Sequence, residues 1–369
     1  MAIQRLRCAI AGLGRMGKRH AVHFLQSTPR AHLVAAFTPD ESEIAWARQH
    51  LEPFGVRLYK DYGEMLRAET APFSDENAPG GLQAMIVSTA TAVHAEESIQ
   101  AIESGLHVLC EKPLSTSVEV SQQVLDVAKK HPKQKVLCGF SRRFDASYRD
   151  ARSRVNAGAI GRPAIFRSQT CDRLDPSGFF VAYAEFSGGI FVDCNIHDID
   201  LALWFLGEDH VIPKSVSAVG ITAVQPELAK FGDVDNGVGV VEFWSGQIAY
   251  FYSSRMMASG QHDMTEVIGT EGKLVVNGNP AKDLVDLWEP SGIRKEIPHD
   301  YYGRFKEAFI TEANEFTAAC LDDTPLPCKL QSAVNALKIG CALQDSLRSG
   351  KKIYFDEIGR KLPERGSKL

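Results

Sequence analysis

The stretch Arg7-Cys8-Ala9-Ile10-Ala11-Gly12-Leu13-Gly14-Arg15-Met16-Gly17 decides the fold of the first part of the chain. A short apolar strand runs into a glycine-rich turn and then into an amphipathic helix. In a dinucleotide-binding fold the first glycine permits the tight turn, the second lets the backbone approach a pyrophosphate, and the third lets the helix pack against the strand. The helix N-terminus offers unpaired N–H groups to the phosphates. The predicted cofactor-binding residues of this turn are Gly12, Gly14, Arg15, Met16 and Gly17.

The end of the second predicted strand bears on the choice between NAD and NADP. This strand, His32 to Phe37, is followed by Thr38. An acid at this point would bind the ribose 2′-hydroxyl and select NAD, whereas a threonine cannot repel a 2′-phosphate. Asp40 is displaced by two residues, past a proline. Both cofactors stay open, and the pattern favours NADP, with candidate phosphate partners Arg15, Lys18 and Arg19.

Strands and helices alternate through the rest of the first 140 residues. Repeated β–α pairs of this length predict an α/β fold, the Rossmann doubly wound parallel sheet, with ligands beyond the carboxyl ends of its strands. Four polar residues fall at those ends: Ser88, Thr89, Glu111 and Lys112. Pro113 biases Lys112 toward an extended conformation, which would aim its ammonium group at a bound ligand, although a lone lysine before a proline is more often an ordinary surface residue.

After about Gly139 the pattern changes to longer alternating strands joined by short glycine-containing turns. Such strands predict an α+β domain with a large, mostly antiparallel open sheet and helices on one face. We expect a Rossmann domain over residues 1–140, an α+β substrate and oligomerisation domain over 141–358, and a flexible tail over 359–369. The open sheet face predicts pairing into a homodimer or homotetramer.

Asp193 and His197 stand four residues apart in an apolar stretch that closes at Gly207. Apolar residues recur there at helical spacing, and a glycine is typical of a helix C-terminus. Side chains four apart share one helix face, and a carboxylate beside an imidazole increases its basicity and orients it, as a general base requires. In isolation such a pair is more often part of a polar helix surface, so its interpretation depends on the rest of the chain.

The composition and charge of the chain argue against several classes of function. A chain of 369 residues with a net charge of −5 predicts two globular domains and gives no basic surface for nucleic acid. Apolar runs stay well short of the ~20 residues of a membrane span, and the chain opens on a strand, so no secretory signal is predicted. The eight cysteines are scattered without a C-x-x-C pair, which indicates reduced thiols, and no metal site is predicted.

The last three residues, Ser367-Lys368-Leu369, spell the peroxisomal targeting tripeptide. In a eukaryote this predicts a peroxisomal location and an import receptor as partner. Otherwise we expect a cytoplasmic location.

Four motifs together resemble the glucose–fructose oxidoreductase/inositol dehydrogenase family over essentially the whole chain, and the inositol 2-dehydrogenases in particular. In chain order they are Gly12-Leu13-Gly14-Arg15-Met16-Gly17, Glu111-Lys112-Pro113, Gly139-Phe140-Ser141-Arg142-Arg143-Phe144-Asp145 and Asp193-x-x-x-His197.

The resemblance implies a role for each polar residue of these motifs. Lys112 would hydrogen-bond the reacting hydroxyl, His197 would remove its proton, Asp193 would orient His197, and Arg142 would lie near cofactor and substrate. This agrees with the chemistry, because a secondary alcohol loses hydride readily only as its O–H proton leaves. Further positions that match the cofactor side of the family are Thr38, Ser88, Thr89, His94 and Glu111.

Two departures from the family pattern matter, one for the expected cofactor and one for the expected substrate. Thr38 replaces the usual acid, and the segment 170–176, where substrate contacts cluster in the family, does not closely match the inositol pattern. Asp172 and Arg173 in this segment could bind hydroxyl groups. The resemblance therefore predicts NAD(P)-dependent oxidation or reduction at one carbon of a cyclic polyol or sugar.

Two alternatives stay open. One is a dehydrogenase for a non-sugar alcohol such as a dihydrodiol. The other is a non-catalytic NAD(P)-sensing protein, which the intact set of Lys112, Asp193 and His197 disfavours.

Overall fold

The computed structural model describes residues 4–74 and 79–363, which divide into two compact units. The first unit contains the chain up to Phe144 together with Glu307–Val334, and the second contains Asp145–Lys306 and the chain from Asn335 onward. The sequence predicted a single boundary near residue 140. The structure differs from that division, because residues 307–334 belong to the first unit. The sequence did not predict this return, since no local pattern distinguishes the segment from its neighbours.

The first unit is built on a six-stranded parallel sheet. Its strands are β1 (Leu6–Ala11), β2 (Ala31–Phe37), β3 (Arg57–Tyr59), β4 (Ala84–Val87), β5 (His107–Cys110) and β6 (Val136–Cys138). They lie in the order β3-β2-β1-β4-β5-β6. The connecting helices are α1 (Arg15–Gln26), α2 (Glu41–His50), α3 (Tyr62–Glu69), α4 (His94–Glu103) and α5 (Val118–Lys130). This strand order is that of the Rossmann fold, which confirms the prediction.

The apolar runs of the sequence become the buried strands of this sheet. All four residues of β4 are buried, as are nearly all those of β1 and β2. Parallel strands covered on both faces need continuous apolar sequence rather than alternation. The chain order reverses beside β1, and ligands of such sheets bind at the carboxyl ends of the strands next to this reversal.

The second unit contains a seven-stranded mixed sheet. Its strands are β7 (Pro163–Arg173), β8 (Pro213–Ile221), β9 (Asn236–Phe243), β10 (Ile248–Met257), β11 (His262–Gly269), β12 (Lys273–Val276) and β15 (Ile353–Tyr354). They lie in the order β12-β11-β7-β10-β9-β8-β15. All neighbours are antiparallel except β7 and β10, which run parallel. The predicted large, mostly antiparallel sheet is therefore confirmed.

Helices and a small hairpin complete the chain. The helices are α6 (Ala146–Asn156), α7 (Phe179–Ser187), α8 (Ile190–Asp193), α9 (Ile196–Leu206), α10 (Tyr301–Asp322) and α11 (Leu330–Ser349). The hairpin pairs β13 (Asp286–Glu289) with β14 (Gly292–Lys295). Across the described ranges, no helix is both long and apolar enough to cross a membrane.

The start of the predicted tail packs against the last strand. The N–H of Leu362 donates to the carbonyl of Tyr354 at 2.9 Å, and the backbone of Lys361 forms an antiparallel β-bridge with that of Phe355. The expectation of a flexible tail therefore does not hold for these residues. The predicted peroxisomal tripeptide, Ser367-Lys368-Leu369, lies outside the described residues and stays a prediction.

Candidate active site

The glycine-rich turn after β1 has the shape that a dinucleotide needs. Gly12 has φ +87°, and a Cβ on it would lie 2.5 Å from the Ser88 carbonyl oxygen. A Cβ on Gly17 would lie 2.0 Å from the carbonyl oxygen of Gly12, so the helix packs close to the turn. Gly14 has no side chain to cap α1, and its Cβ position is open, with the nearest atom 3.6 Å away. These residues fit a pyrophosphate held by the N–H groups of the first helical turn, which includes Arg15 and Met16.

The predicted polar residues of the first unit follow neighbouring strands at one edge of its sheet. Thr38 follows β2, Ser88 and Thr89 follow β4, and Glu111 and Lys112 follow β5. Arg142 lies in a short 3-10 helix, Ser141–Phe144, that begins three residues after the end of β6, and its side chain is buried. The fold thus gathers the predicted residues of this unit at the edge where Rossmann folds bind their cofactor.

Glu111 is held by a buried hydrogen bond. Its Oε1 lies 2.6 Å from Nε2 of His20, a residue of α1. Burial by itself would raise the pKa of Glu111, but the hydrogen bond and charge of His20, together with Lys112, lower it below its ordinary value. Glu111 therefore enters the site as a carboxylate that ties α1 to the strand end carrying Lys112.

His94 links two loops of this edge. Its Nδ1 lies 2.9 Å from the Pro113 carbonyl oxygen and its Nε2 lies 3.1 Å from the Thr89 carbonyl oxygen. Burial lowers its pKa, so the imidazole is neutral. The structure thus uses His94 to position the loops after β4 and β5. A direct contact with the cofactor stays a prediction.

Glu97 is a buried carboxyl beside the same edge, and the sequence did not indicate it. Thr89 Oγ1 donates a hydrogen bond to Glu97 Oε2 at 2.6 Å. Burial raises the pKa of Glu97 to about 7, although the hydrogen bond from Thr89 acts in the opposite direction. The group therefore titrates close to neutral pH.

Stability is expected to fall with rising pH because of Glu97. The unfolded chain releases this proton near the ordinary pKa of 4.5, and the folded chain keeps it until about 7. Over that window the unfolded state binds fewer protons, so the free energy of unfolding falls by up to about 3 kcal/mol and then levels off. Glu97→Gln should therefore stabilise the protein at about pH 8 and leave it unchanged near pH 4.5.

Urea denaturation at both pH values, with the exposed Glu103→Gln on the same helix as control, measures the difference. Equal effects of Glu97→Gln at both pH values would contradict the assignment.

The Asp193–His197 stretch is not one continuous helix. Gly189 turns the chain with φ +96°, where a Cβ would lie 2.2 Å from the Gln344 side chain. Helix α8 ends at Asp193, and α9 begins two residues later at Ile196. The predicted helix is therefore interrupted at Cys194 and Asn195, and His197 lies in the first turn of α9.

Asp198 anchors that first turn to the sheet. Its buried carboxylate accepts hydrogen bonds from Ser168 Oγ and Thr170 Oγ1, both at 2.6 Å, and from Asn195 Nδ2 at 2.8 Å. Ser168 and Thr170 belong to β7, so the neighbour of His197 is fixed to the sheet from two strand positions. This network sets the position of the histidine backbone.

His197 is stacked on an aromatic residue that the sequence did not indicate. Tyr301, the first residue of α10, lies with its ring centroid 5.2 Å from the imidazole and its plane tilted by 28°. The tyrosine hydroxyl lies 3.1 Å from His197 Nε2. The imidazole is buried and oriented by this contact.

Asp193 forms an ion pair with a fully buried arginine. Arg255 Nη2 donates to Asp193 Oδ2 at 3.0 Å, and the guanidinium lies 4.7 Å from the ring centroid of Phe180. Among the described residues, Nε and Nη1 of Arg255 have no hydrogen-bond partner. Buried donors of this kind are usually satisfied by a water or a ligand oxygen. The orientation of His197 by Asp193 stays a prediction.

Asp172 joins this cluster, whereas Arg173 does not. Asp172 Oδ1 accepts from Gln261 Nε2 at 2.8 Å, and Oδ2 lies 3.4 Å from the Cys194 sulfur. Successive side chains of a strand point to opposite faces, and Arg173, the next residue of β7, is exposed. Of the two residues predicted from this segment, the structure places Asp172 near the end of α8.

One signal in the sequence could have found Arg255. Ala249, Phe251 and Ser253 alternate along β10 toward the buried face, and Arg255 continues that alternation. An arginine at an inward position needs a buried acidic partner or a ligand. Tyr301 gave no comparable signal, because it meets His197 across about a hundred residues of sequence.

The first unit is a Rossmann fold with an intact dinucleotide turn, and the second unit carries a buried histidine and carboxylates. These features define the class of nicotinamide-dependent oxidoreductases. Residues 6–140 match the oxidoreductase family with an NAD-binding Rossmann fold, and residues 148–275 match the GFO/IDH/MocA C-terminal domain. The chain is 34% identical to scyllo-inositol 2-dehydrogenase (NAD(+)) of Bacillus subtilis (strain 168), over 95% of this chain and 97% of that protein.

Solved structures give the same result. Myo-inositol 2-dehydrogenase from Lactobacillus plantarum is 32% identical, with a TM-score of 0.88 over 96% of this chain and 100% of that one. Scyllo-inositol dehydrogenase from Lactobacillus casei, solved with NAD(H) and scyllo-inositol, is 29% identical, with a TM-score of 0.86 over 95% and 99% of the two chains.

The chain therefore belongs to the GFO/IDH/MocA oxidoreductase family, as the four motifs predicted. It is an NAD(P)-dependent dehydrogenase or reductase that acts on CH–OH groups.

Proposed function

We propose that the substrate is a cyclic polyol, with an inositol as the first candidate, oxidised at one ring CH–OH. The observation that carries this proposal is the cluster of Asp172, Asp193 and Arg255 at the end of α8, next to the helix that bears His197. Carboxylates and a guanidinium supply acceptors and donors for several hydroxyl groups at once. The inositol dehydrogenases among the relatives support the same substrate class.

Each proposed role follows from the chemistry of the residue. When bound, the nicotinamide accepts the hydride that leaves the carbon. His197 accepts the proton of the reacting hydroxyl, and the Lys112 ammonium donates to the oxygen on which negative charge develops. Arg255 holds Asp193 as a carboxylate near the start of α9. Arg142 contributes a second buried cation on the cofactor side.

A substrate panel assayed with both cofactors tests the proposal. The panel contains myo- and scyllo-inositol, aldoses, keto-sugars and a dihydrodiol, and the measurement is kcat/KM. We expect an inositol to give the highest value. A dihydrodiol as best substrate would favour the non-sugar dehydrogenase, and cofactor binding without turnover on any compound would favour the cofactor-sensing protein.

We also propose that the open face of the second sheet pairs with a second copy of the chain. Val219, Val238, Val240 and Ile248 are between 37% and 67% exposed, and Val219 and Val238 are direct partners in the register of β8 and β9. Val219, Val238 and Val240 are therefore neighbours on one exposed face of the sheet, and apolar patches of this kind commonly mark protein interfaces. Self-association through this face would cover them.

Val238→Glu is therefore expected to shift the protein to monomer in light scattering after size exclusion, because a charge at the centre of an apolar interface is costly to bury. Val285→Glu, an exposed valine that directly precedes the small hairpin and lies outside the seven-stranded sheet, is the control. A monomeric wild type, or a Val238→Glu variant with unchanged mass, would contradict the pairing.

A further inference from the structure

We propose that Glu43 makes this enzyme selective for NAD over NADP. The inference rests on the NAD(P)-dependent activity and names the residue that would distinguish the two cofactors. Glu43 lies in the first turn of α2, five residues beyond Thr38, the position where Rossmann folds usually carry their acid. Its position in the sequence therefore does not reveal this role. Thr38, which follows the strand, had favoured NADP.

One oxygen of Glu43 is fixed at the end of β2. Thr38 Oγ1 donates a hydrogen bond to Glu43 Oε2 at 2.5 Å, and Thr38 is 1% exposed. A threonine hydroxyl has a single proton to donate. Because that proton goes to Glu43, the Thr38 hydroxyl cannot donate to a 2′-phosphate. Thr38, which favoured NADP in the sequence, instead holds a carboxylate at the end of β2.

The other oxygen of Glu43 faces the dinucleotide turn. Oε1 lies 3.6 Å from the position that a Cβ on Gly14 would occupy. Among the described residues, this oxygen has no hydrogen-bond partner. The carboxylate thus spans the gap between the end of β2 and the second glycine, which is where the adenosine ribose lies in Rossmann folds. It can accept from a ribose hydroxyl, and it would repel a phosphate in the same place.

Two neighbouring charged residues, Asp40 and Lys18, have other partners and do not take the place of Glu43 beside the dinucleotide turn. Asp40 is used as the N-cap of α2, where its Oδ1 accepts from the N–H groups of Ser42 and Glu43 at 2.8 and 3.0 Å. Lys18, one of the predicted partners of a 2′-phosphate, places its ammonium 5.4 Å from the ring centroid of Trp46. Of the two acids Asp40 and Glu43, Glu43 is therefore the one whose carboxylate faces the second glycine of the turn.

Titration of the full-length protein with NADH and with NADPH, followed by nicotinamide fluorescence in the absence of substrate, tests the inference. We expect the wild type to bind NADH at least about 10-fold more tightly than NADPH, a difference of about 1.4 kcal/mol. Glu43→Gln should lower this ratio at least about fivefold, since removing the charge removes the repulsion. Thr38→Val, which releases the carboxylate, should lower the ratio in the same direction and provides a second, independent variant.

Glu41→Gln is the matched control, because Glu41 is an exposed acid on the same helix turn and pairs with Lys60. Its ratio should equal that of the wild type. A wild type that binds NADPH as tightly as NADH, or Glu43→Gln and Thr38→Val variants that keep the wild-type ratio, would overturn the inference. The titration needs no substrate, so a wrong substrate class would leave its result unchanged, whereas failure of the wild type to bind either cofactor would contradict the dinucleotide site itself.

Discussion

Replacement of His197 by alanine is expected to lower kcat on the best polyol substrate by about 10² to 10⁴-fold, the usual contribution of a general base. The imidazole is buried in the first turn of α9 and stacked on Tyr301, and it is the group proposed to accept the proton of the reacting hydroxyl. Without it the hydroxyl proton has no acceptor as hydride leaves. NADH affinity, measured by fluorescence titration, should stay within about twofold, because His197 belongs to the other unit from the dinucleotide turn.

Two comparisons separate loss of the base from loss of structure. Added imidazole should partly restore turnover to His197→Ala, since a small base can occupy the vacated space. His210→Ala, an exposed histidine of the same unit, should keep wild-type kcat. Wild-type turnover by His197→Ala would show that the proton leaves by another route.

Replacement of Lys112 by methionine is expected to lower kcat by about 10² to 10³-fold, comparable to the loss of one donor to a developing oxyanion. Lys112 is the second residue after β5 at the cofactor edge, and the buried Glu111–His20 pair fixes the residue before it. Methionine keeps the length of the side chain and removes its charge. Arginine should not restore the rate, because a planar guanidinium cannot replace a compact ammonium group.

The role of Lys112 is decided by comparing the changes in kcat and in kcat/KM of the Lys112→Met variant. An interaction made mainly in the transition state lowers kcat and kcat/KM together. Lys129→Met, an exposed lysine of α5, is the control and should leave both constants unchanged. A Lys112→Met variant that raises KM and keeps kcat would assign Lys112 to substrate binding alone.

The first unit was predictable because its signals are local. The glycine turn, the continuous apolar strands and the polar residues that follow them all lie within short stretches, and the parallel order of the strands follows from the β–α repeat. The antiparallel sheet could be inferred from alternation and glycine turns. The parallel pairing of β7 with β10 could not, because it depends on how distant strands meet.

The site was predictable only in part, for the same reason. His197 and Asp193 belong to one recognisable stretch, but their described partners, Tyr301 and Arg255, lie 104 and 62 residues further along the chain. Helical spacing also suggested a continuous helix where the structure has a break after Asp193. Local pattern pointed to the groups that we propose as reactive and could not predict the residues that contact them.

Thr38 shows why the charge at the end of β2 cannot be predicted from one sequence position. The absence of an acid at the strand end is real, and it favoured NADP. The side chain of Glu43 reaches back to that position from the next helix, which a rule based on sequence position cannot detect. The charge at the end of β2 therefore depends on the Glu43 side chain that extends to it, and not on the residue that follows the strand in sequence.

In the proposed reaction, hydride leaves directly from a ring CH–OH of a cyclic polyol. The most direct measurement uses scyllo-inositol that carries deuterium on its ring carbons, with NAD and the wild-type enzyme, and mass spectrometry of the reduced cofactor. We predict one deuterium atom in each reduced cofactor, together with a ketone on the ring of the product. Reduced cofactor without deuterium, or no reduction with this or any other inositol, would contradict the claim.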